Sequence, residues 1–325
     1  MANLAFFGTP EFSLPALEAV ASYALGHGHK LSFVVTQPDA RAGRGKILSP
    51  PAVKKRALEC GFLVLQPTSL RKNTEDGENF YREFLNSHID LAIVVAYGNI
   101  IPQRLLSAAR IGFVNIHGSL LPRFRGAAPV QRAIEAGDRE SGVCLMDMVL
   151  KLDEGDIFAQ RTTPILSCDN SSSLFRRLSY LGASLLAEHL EDLMQQRLKK
   201  VPQSCEGILY ASMLSKSEGA WDSQSSGSSL ALKARAFDPW PSLYGFISNR
   251  RVMFFQSFFI KTKAHQQKAP GTVVALTNFL GVRTLDGIVY FQSIQFEGKQ
   301  KLSIKDARAS QAIKIGDQIK HFSSQ

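Results

Sequence analysis

The chain has 325 residues, 45% of them apolar, and carries 38 Lys and Arg against 28 Asp and Glu, a net charge of +10. That length is too great for one ordinary core and suits two domains, each with enough apolar residues to bury its own. No apolar run approaches the roughly 20 residues a helix needs to cross a bilayer, and no basic segment followed by an apolar one and a cleavage site opens the chain, so neither a helical span nor a secretory leader is expected.

The charge is uneven. Beyond Cys205, 15 Lys and Arg face 8 Asp and Glu, so the C-terminal part carries most of the surplus. Such a domain suits a polyanionic partner, whether RNA, DNA or a membrane surface. The lack of a basic amphipathic helix with an aromatic face counts against a membrane. Cys60, Cys144, Cys168 and Cys205 are far apart and form no CxxC pair. They read as reduced, mostly buried thiols of a cytosolic protein rather than as zinc ligands or a redox pair.

In chain order, Leu4–Gly8 is a short apolar run that predicts a strand, and Phe12, Leu14, Leu17 and Val20 recur at helical spacing. Leu31–Thr36 is a second strand, Val53, Ala57, Leu58 and Phe62 a second helix, and Leu63–Leu65 a third strand. Ile89–Ala96 is continuous apolar after its Asp, as in a strand buried on both faces. Ile111–His117, Val143–Val149 and Ile157–Thr163 complete the set, and Leu174–Leu198 has the period of a long helix with N-cap candidates in Asn170–Ser173. Alternation of this kind predicts an α/β fold, Rossmann-like, with a mostly parallel sheet. After Val201-Pro202 the texture changes. Ser223–Ser229 is polar, turn-rich and expected to be mobile. Short β-type runs at 252–260, 271–276, 281–284 and 287–291, separated by Gly turns, predict a small barrel or sandwich. The expected domains are 1–206 and 207–325.

Asn115 and His117 end a buried strand two residues apart, so their side chains share a face. In a parallel sheet that end is where open α/β folds bind ligands. A Gly- and Pro-rich turn follows, from Gly118 to Pro129. On pattern alone His117 is equally a ligand-facing residue or one hydrogen-bonded inside the turn. Asp153, in the acidic turn LDEGD at 152–156, is by itself more simply a turn residue. Other fingerprints fail: Gly43-Arg44-Gly45-Lys46 is not a P-loop, Gly26-His27-Gly28 precedes a strand instead of following one, and neither GxSxG nor HExxH occurs.

Taken together, Asn115-Ile116-His117, SLLPRFRGAAP at 119–129 and LDEGD at 152–156 resemble the 10-formyltetrahydrofolate-dependent formyltransferase family. FGTPEF at 7–12, TQPD at 36–39 with Gly43-Arg44-Gly45, VVAYGNIIP at 94–102, QRAI at 131–134 and RAFDPWP at 235–241 extend the resemblance over nearly the whole chain. It implies a formyltransferase catalytic domain followed by a small OB-like β-barrel domain that binds tRNA. The implied reaction moves the formyl group of 10-formyltetrahydrofolate, a co-substrate, to the α-amino group of methionyl initiator tRNA in the cytoplasm, with no metal, and a monomer is expected because a tRNA-sized partner would already occupy much of its surface. The family's catalytic residues fall on Asn115, His117 and Asp153, with Asp153 orienting the imidazole. Its folate-binding run falls on Ser119, Leu120, Leu121 and Pro122. The loop bearing Arg44 and Lys46 matches one that reaches the tRNA acceptor end, where an Arg can pair bidentately with phosphate or a guanine edge.

Departures are modest: Glu154 stands where the family carries Thr, Asp147 where Gln is common, Cys144 where Thr is common, and Gly118 replaces a frequent Ala. Arg123 and Arg125 are equally candidates for an anion contact or for fixing the turn. Trp240, between two prolines, is expected in a packed core. The competing readings are formyl transfer to a small-molecule amine, hydrolysis of the formyl donor, and a non-catalytic RNA-binding protein. The basic C-terminal domain and the Arg44 loop disfavour the first two, and the intact Asn115, His117 and Asp153 set disfavours the third.

Overall fold

Apolar runs become a seven-stranded central sheet, and most of the segments between its strands become helices. Residues 1–42 and 47–321 are described by the computed structural model. The order is β1 (Asn3–Gly8), α1 (Leu14–Gly26), β2 (Lys30–Val35), α2 (Ala52–Glu59), β3 (Val64–Leu65), α3 (Glu75–Asn86), β4 (Leu91–Val95), α4 (Gln103–Leu106), β5 (Gly112–His117), α5 (Pro129–Glu135), β6 (Glu140–Asp147), β7 (Ile157–Pro164) and α6 (Ser171–Met194). Across the sheet the strands run β7-β6-β5-β4-β1-β2-β3. β3, β2, β1, β4 and β5 are mutually parallel, and β6 pairs antiparallel to β5. The order reverses beside β1, which makes the carboxyl ends of β1, β4 and β5 the place where such sheets leave a crevice. All five residues of β4 are buried, as a strand covered on both faces requires.

One face of this sheet is aromatic. Phe7 meets Phe80 edge-on at 6.1 Å, and Phe84 stacks on Phe113 at 5.6 Å. Phe80 and Phe84 come from α3, a helix the sequence reading leaves unassigned. It starts at Thr74, whose hydroxyl accepts the Gly77 N–H at 3.1 Å, and its first turn is acidic, which complements the helix dipole.

The chain divides into two compact units, one of residues 1–126, 140–163 and 175–210, the other of 127–139, 164–174 and 211–325. In the second unit α7 (Gly227–Ala236), β8 (Leu243–Ile247), β9 (Arg250–Lys261), β10 (Val273–Leu276), β11 (Leu280–Arg283), β12 (Gly287–Phe296), β13 (Lys301–Ser303) and α8 (Ile304–Ala309) follow in turn. The strands form one sheet in the order β8-β9-β12-β11-β10, with β13 beside β12, all antiparallel. This is an OB-like arrangement whose strand ladder runs open. The segment before residue 321 laces its two edges, through bridges from Lys320 to Phe246 and from Gln318 to Thr272. The core beneath holds Trp221, Phe254 and Phe291, with ring centroids 5.7 Å apart for the first pair and 4.9 Å for the second.

Three expectations are corrected here. The Ser-rich stretch begins with the expected turn, at 223–225, but its second half starts a helix: the Ser226 hydroxyl accepts the Ser229 N–H at 3.2 Å, and Asp286 accepts the Gly227 N–H at 2.8 Å. The composition hid a cap, since Ser serves turns and N-caps by the same hydrogen bond. Only Cys144 is a buried thiol, because Cys60, Cys168 and Cys205 lie on the surface. Trp240 is 54% exposed, and it is Trp221 that fills the core.

Candidate active site

His117 is the last residue of β5 and is buried. Asn115, two residues earlier and half-buried, shares its face, and its backbone pairs with Val94 of β4. The Asn115 side-chain amide makes no hydrogen bond to the described residues, so its donors stay available. The turn after β5 folds back on the ring. His117 Nε2 lies 3.0 Å from the Phe124 carbonyl oxygen. On the other side, Nδ1 lies 3.6 Å from Asp153 Oδ2, outside hydrogen-bond length and within ion-pair range. Each ring nitrogen therefore faces an oxygen, and a proton can sit on either.

Asp153 occupies the left-handed region, with φ of +52°. Phe124 (φ +61°) and Ala96 (φ +45°) do the same beside the carboxyl ends of the parallel strands. Non-glycine residues reach that region at a cost, and they gather where function needs an unusual backbone. The Asp153 turn is held from three sides. Its Oδ2 accepts the Gly126 N–H at 2.8 Å. The Gln203 side-chain amide donates to the carbonyls of Asp153 and Gly155, both at 2.8 Å. Gly155 itself leaves no room for a side chain, since a Cβ there would stand 1.8 Å from the Asp147 carbonyl oxygen.

Gln203 also links this turn to Arg125, which is buried and donates to Gln203 Oε1 from Nε at 3.1 Å and Nη2 at 2.9 Å. Arg125 Nη1 lies 3.4 Å from Glu154, and Lys151 lies 3.6 Å from the same carboxylate. Glu154 thus gives the buried guanidinium an acidic partner. Of the two open readings for Arg125, its contacts are those of a residue that fixes the turn. Sequence reasoning missed Gln203 altogether. It follows the long helix in a stretch with no pattern, and only the bridge between Val201 and Ile157, with reciprocal bonds of 2.8 and 2.9 Å, carries it to the site.

The Ser119–Pro122 run begins the turn. Ser119 is buried and donates its hydroxyl to the Arg123 carbonyl at 2.6 Å. Leu121 is buried against Cys144, Met146 and Ile157. Leu120 and Pro122 are half-buried. Cys144 donates its thiol to the Ser119 carbonyl at 3.1 Å, and burial pushes that thiol up to about 12. It sits there as a neutral hydrogen-bond donor. Arg44 and Lys46 lie outside the described residues.

A family described as formyl transferase matches residues 2–190, and its companion, described as formyl transferase, C-terminal domain, matches 213–311. The chain belongs to the formyltransferase family. Among its relatives, the methionyl-tRNA formyltransferase of Polynucleobacter asymbioticus is 39% identical over 316 residues, covering 93% of this chain and 94% of that protein. The one of Methylococcus capsulatus is 40% identical over 304 residues, covering 94% and 95%. Solved structures of the same fold include WlaRD, a sugar 3N-formyl transferase solved in the presence of dTDP and 5-N-formyl-THF. It has a TM-score of 0.66 at 16% identity and covers 92% of this chain and 99% of its own. HypX from Aquifex aeolicus, in complex with tetrahydrofolic acid, has a TM-score of 0.60 at 18% identity over 95% of this formyltransferase, which spans 46% of the HypX chain.

Proposed function

We propose that this formyltransferase moves the formyl group of 10-formyltetrahydrofolate to the α-amino group of methionine esterified to initiator tRNA, giving N-formylmethionyl-tRNA for translation initiation. The observation that carries this reading is the likeness to methionyl-tRNA formyltransferases over almost the entire chain, the basic C-terminal part included. Residues 1–206 carry the chemistry in this reading, and residues 207–325 hold the tRNA. The enzyme acts as a monomer, with a tRNA-sized partner covering much of its surface, and in the cytoplasm, where that tRNA is used.

In the proposed mechanism the neutral amine attacks the formyl carbon on N10 of the folate. Charge develops on the formyl oxygen, and the free amide of Asn115 donates to it. One such donor is typically worth about 10²–10³ in rate. The attacking amine must then lose a proton, and N10 must gain one before the carbon–nitrogen bond breaks. His117 carries that proton, directly or through a water, while Asp153 fixes the ring and balances its charge. The folate lies along Ser119–Pro122. With Ser119 and Leu121 turned inward, it meets the backbone there and the side chains of Leu120 and Pro122. The loop bearing Arg44 and Lys46 reaches the acceptor end of the tRNA. Nothing in this sequence of steps requires a metal.

The test is formylation in vitro with 10-formyltetrahydrofolate and methionine-charged initiator tRNA, with methionine-charged elongator tRNA as control. Strong preference for the initiator is expected. Consumption of the folate without formylated tRNA would discard the tRNA reading in favour of a small amine acceptor or hydrolysis.

A further inference from the structure

The antiparallel sheet of the second unit has two unlike faces. The inner one is the core, where Val252, Phe254, Phe291 and Ile294 are fully buried. Strand β9 does not keep one alternation along its length, because Gln256 sits at φ +54° and turns the pleat over. After it, Ser257 faces inward, its hydroxyl bonded to the Ala231 carbonyl of α7 at 2.7 Å, and Phe259 packs on the core. Phe258 and Ile260 therefore point outward, at 37% and 47% exposure.

Phe258 is not alone on that face. It stacks on its cross-strand partner Tyr290, with centroids 5.0 Å apart and ring planes at 13°. Phe279 meets it edge-on at 5.1 Å. Tyr290 lies over Gly281, where a Cβ would come within 2.9 Å of the ring, so the missing side chain makes room for it. Farther along the sheet, before the Gln256 bulge, cations lie on rings of their own: Lys301 Nζ stands 3.7 Å from the Phe255 ring centroid and Arg251 Cζ 3.8 Å from that of Tyr244. Among the described residues, the one carboxylate within ion-pair distance of either cation is Glu297, 3.6 Å from Arg251.

We infer that the Phe258–Tyr290–Phe279 cluster is a stacking platform for an unpaired base of the tRNA. An exposed Phe258 ring backed by the half-buried Tyr290 and Phe279, on a sheet that also carries Lys301 and Arg251, matches a nucleobase with its phosphate, since every base has a π-face and a neighbouring anion. A protein partner would use the apolar area and gain nothing from the surplus of Lys and Arg in the C-terminal part of the chain, 15 against 8 acidic residues beyond Cys205. This inference rests on the tRNA reading above, and it names a contact that reading does not contain.

The experiment uses the full chain with methionyl initiator tRNA carrying 4-thiouridine in its loops. Affinity is read by fluorescence anisotropy, turnover by formylation at saturating tRNA, and the contact by photocrosslinking and mass spectrometry. Phe258→Leu and Tyr290→Leu keep apolar bulk and remove the ring. Each should weaken tRNA binding roughly five- to tenfold at unchanged kcat, Phe258→Trp should restore it, and the crosslink should map to β9 or β12. Native affinity in both Leu variants, with crosslinks elsewhere, would overturn the platform and leave the face to a protein partner. A wild-type chain that neither binds nor formylates the tRNA would instead remove the parent reading, and the platform with it.

Discussion

Gln203 and Asp153 stand 50 residues apart and are joined by one hydrogen bond of 2.8 Å, from the Gln203 side-chain amide to the Asp153 carbonyl. The same amide reaches Gly155 at 2.8 Å, so a side chain outside the recognisable motifs holds the turn that presents the carboxylate to His117. Gln203→Glu isolates that donation. The carboxylate can still accept from Arg125, and it can no longer donate to two carbonyls. Misplacing a reacting group by an ångström can cost on the order of 100-fold, so we expect kcat to fall roughly 10- to 100-fold with the KM for tRNA unchanged. An effect on KM alone would show that Gln203 serves binding and leaves the turn indifferent.

His117→Ala should cost at least about 100-fold in kcat, the usual range for a lost proton carrier, and leave the tRNA Kd intact. Asp153→Asn should cost less than Asp153→Ala, because the amide oxygen can still accept the Gly126 N–H while the charge facing the imidazole is gone. Steady-state formylation and tRNA anisotropy on the three variants decide this. Parallel losses in both measurements would make these residues structural.

Gly155→Ala tests the turn itself. Its Cβ would meet the Asp147 carbonyl oxygen at 1.8 Å, a backbone atom that cannot step aside. Overpacking of this kind costs about 1–3 kcal/mol, so the melting temperature should drop by several degrees. A variant as stable as the parent would mean that the LDEGD turn relaxes freely.

Cys144 gives a pH prediction. Its folded thiol is raised to about 12 from the ordinary 9.0, mainly by burial. The neutral form is favoured in the fold, so its contribution to stability is whole below pH 9 and is lost as pH rises from 9 towards 12. At pH 8 a disulfide reagent should label Cys60, Cys168 and Cys205 rapidly and reach Cys144 only on denaturation. Rapid labelling of all four under native conditions would contradict the burial.

Binding of tRNA should weaken steeply with salt, as phosphate neutralisation by Lys and Arg releases counterions. Anisotropy titrations between about 50 and 200 mM salt should show affinity falling by an order of magnitude or more. A flat salt profile would remove the role assigned to the basic C-terminal part.

What the sequence determined by itself is periodicity and chemistry. The apolar run at 89–96 reads as a strand buried on both faces, and Asn115 and His117 share one face because side chains in a strand alternate. Those properties belong to neighbours in the chain, so they need no fold to be read. What the tertiary structure alone decided depends on residues far apart. It brought Asp153 to within 3.6 Å of His117, and it carried Gln203 beneath that turn through the bridge from Val201 to Ile157. It chose Trp221 over Trp240 for the core and made a helix cap of Ser226. It also turned Phe258 outward, through the left-handed backbone of Gln256. In each case one residue type suits two environments, and only the packing around it selects between them.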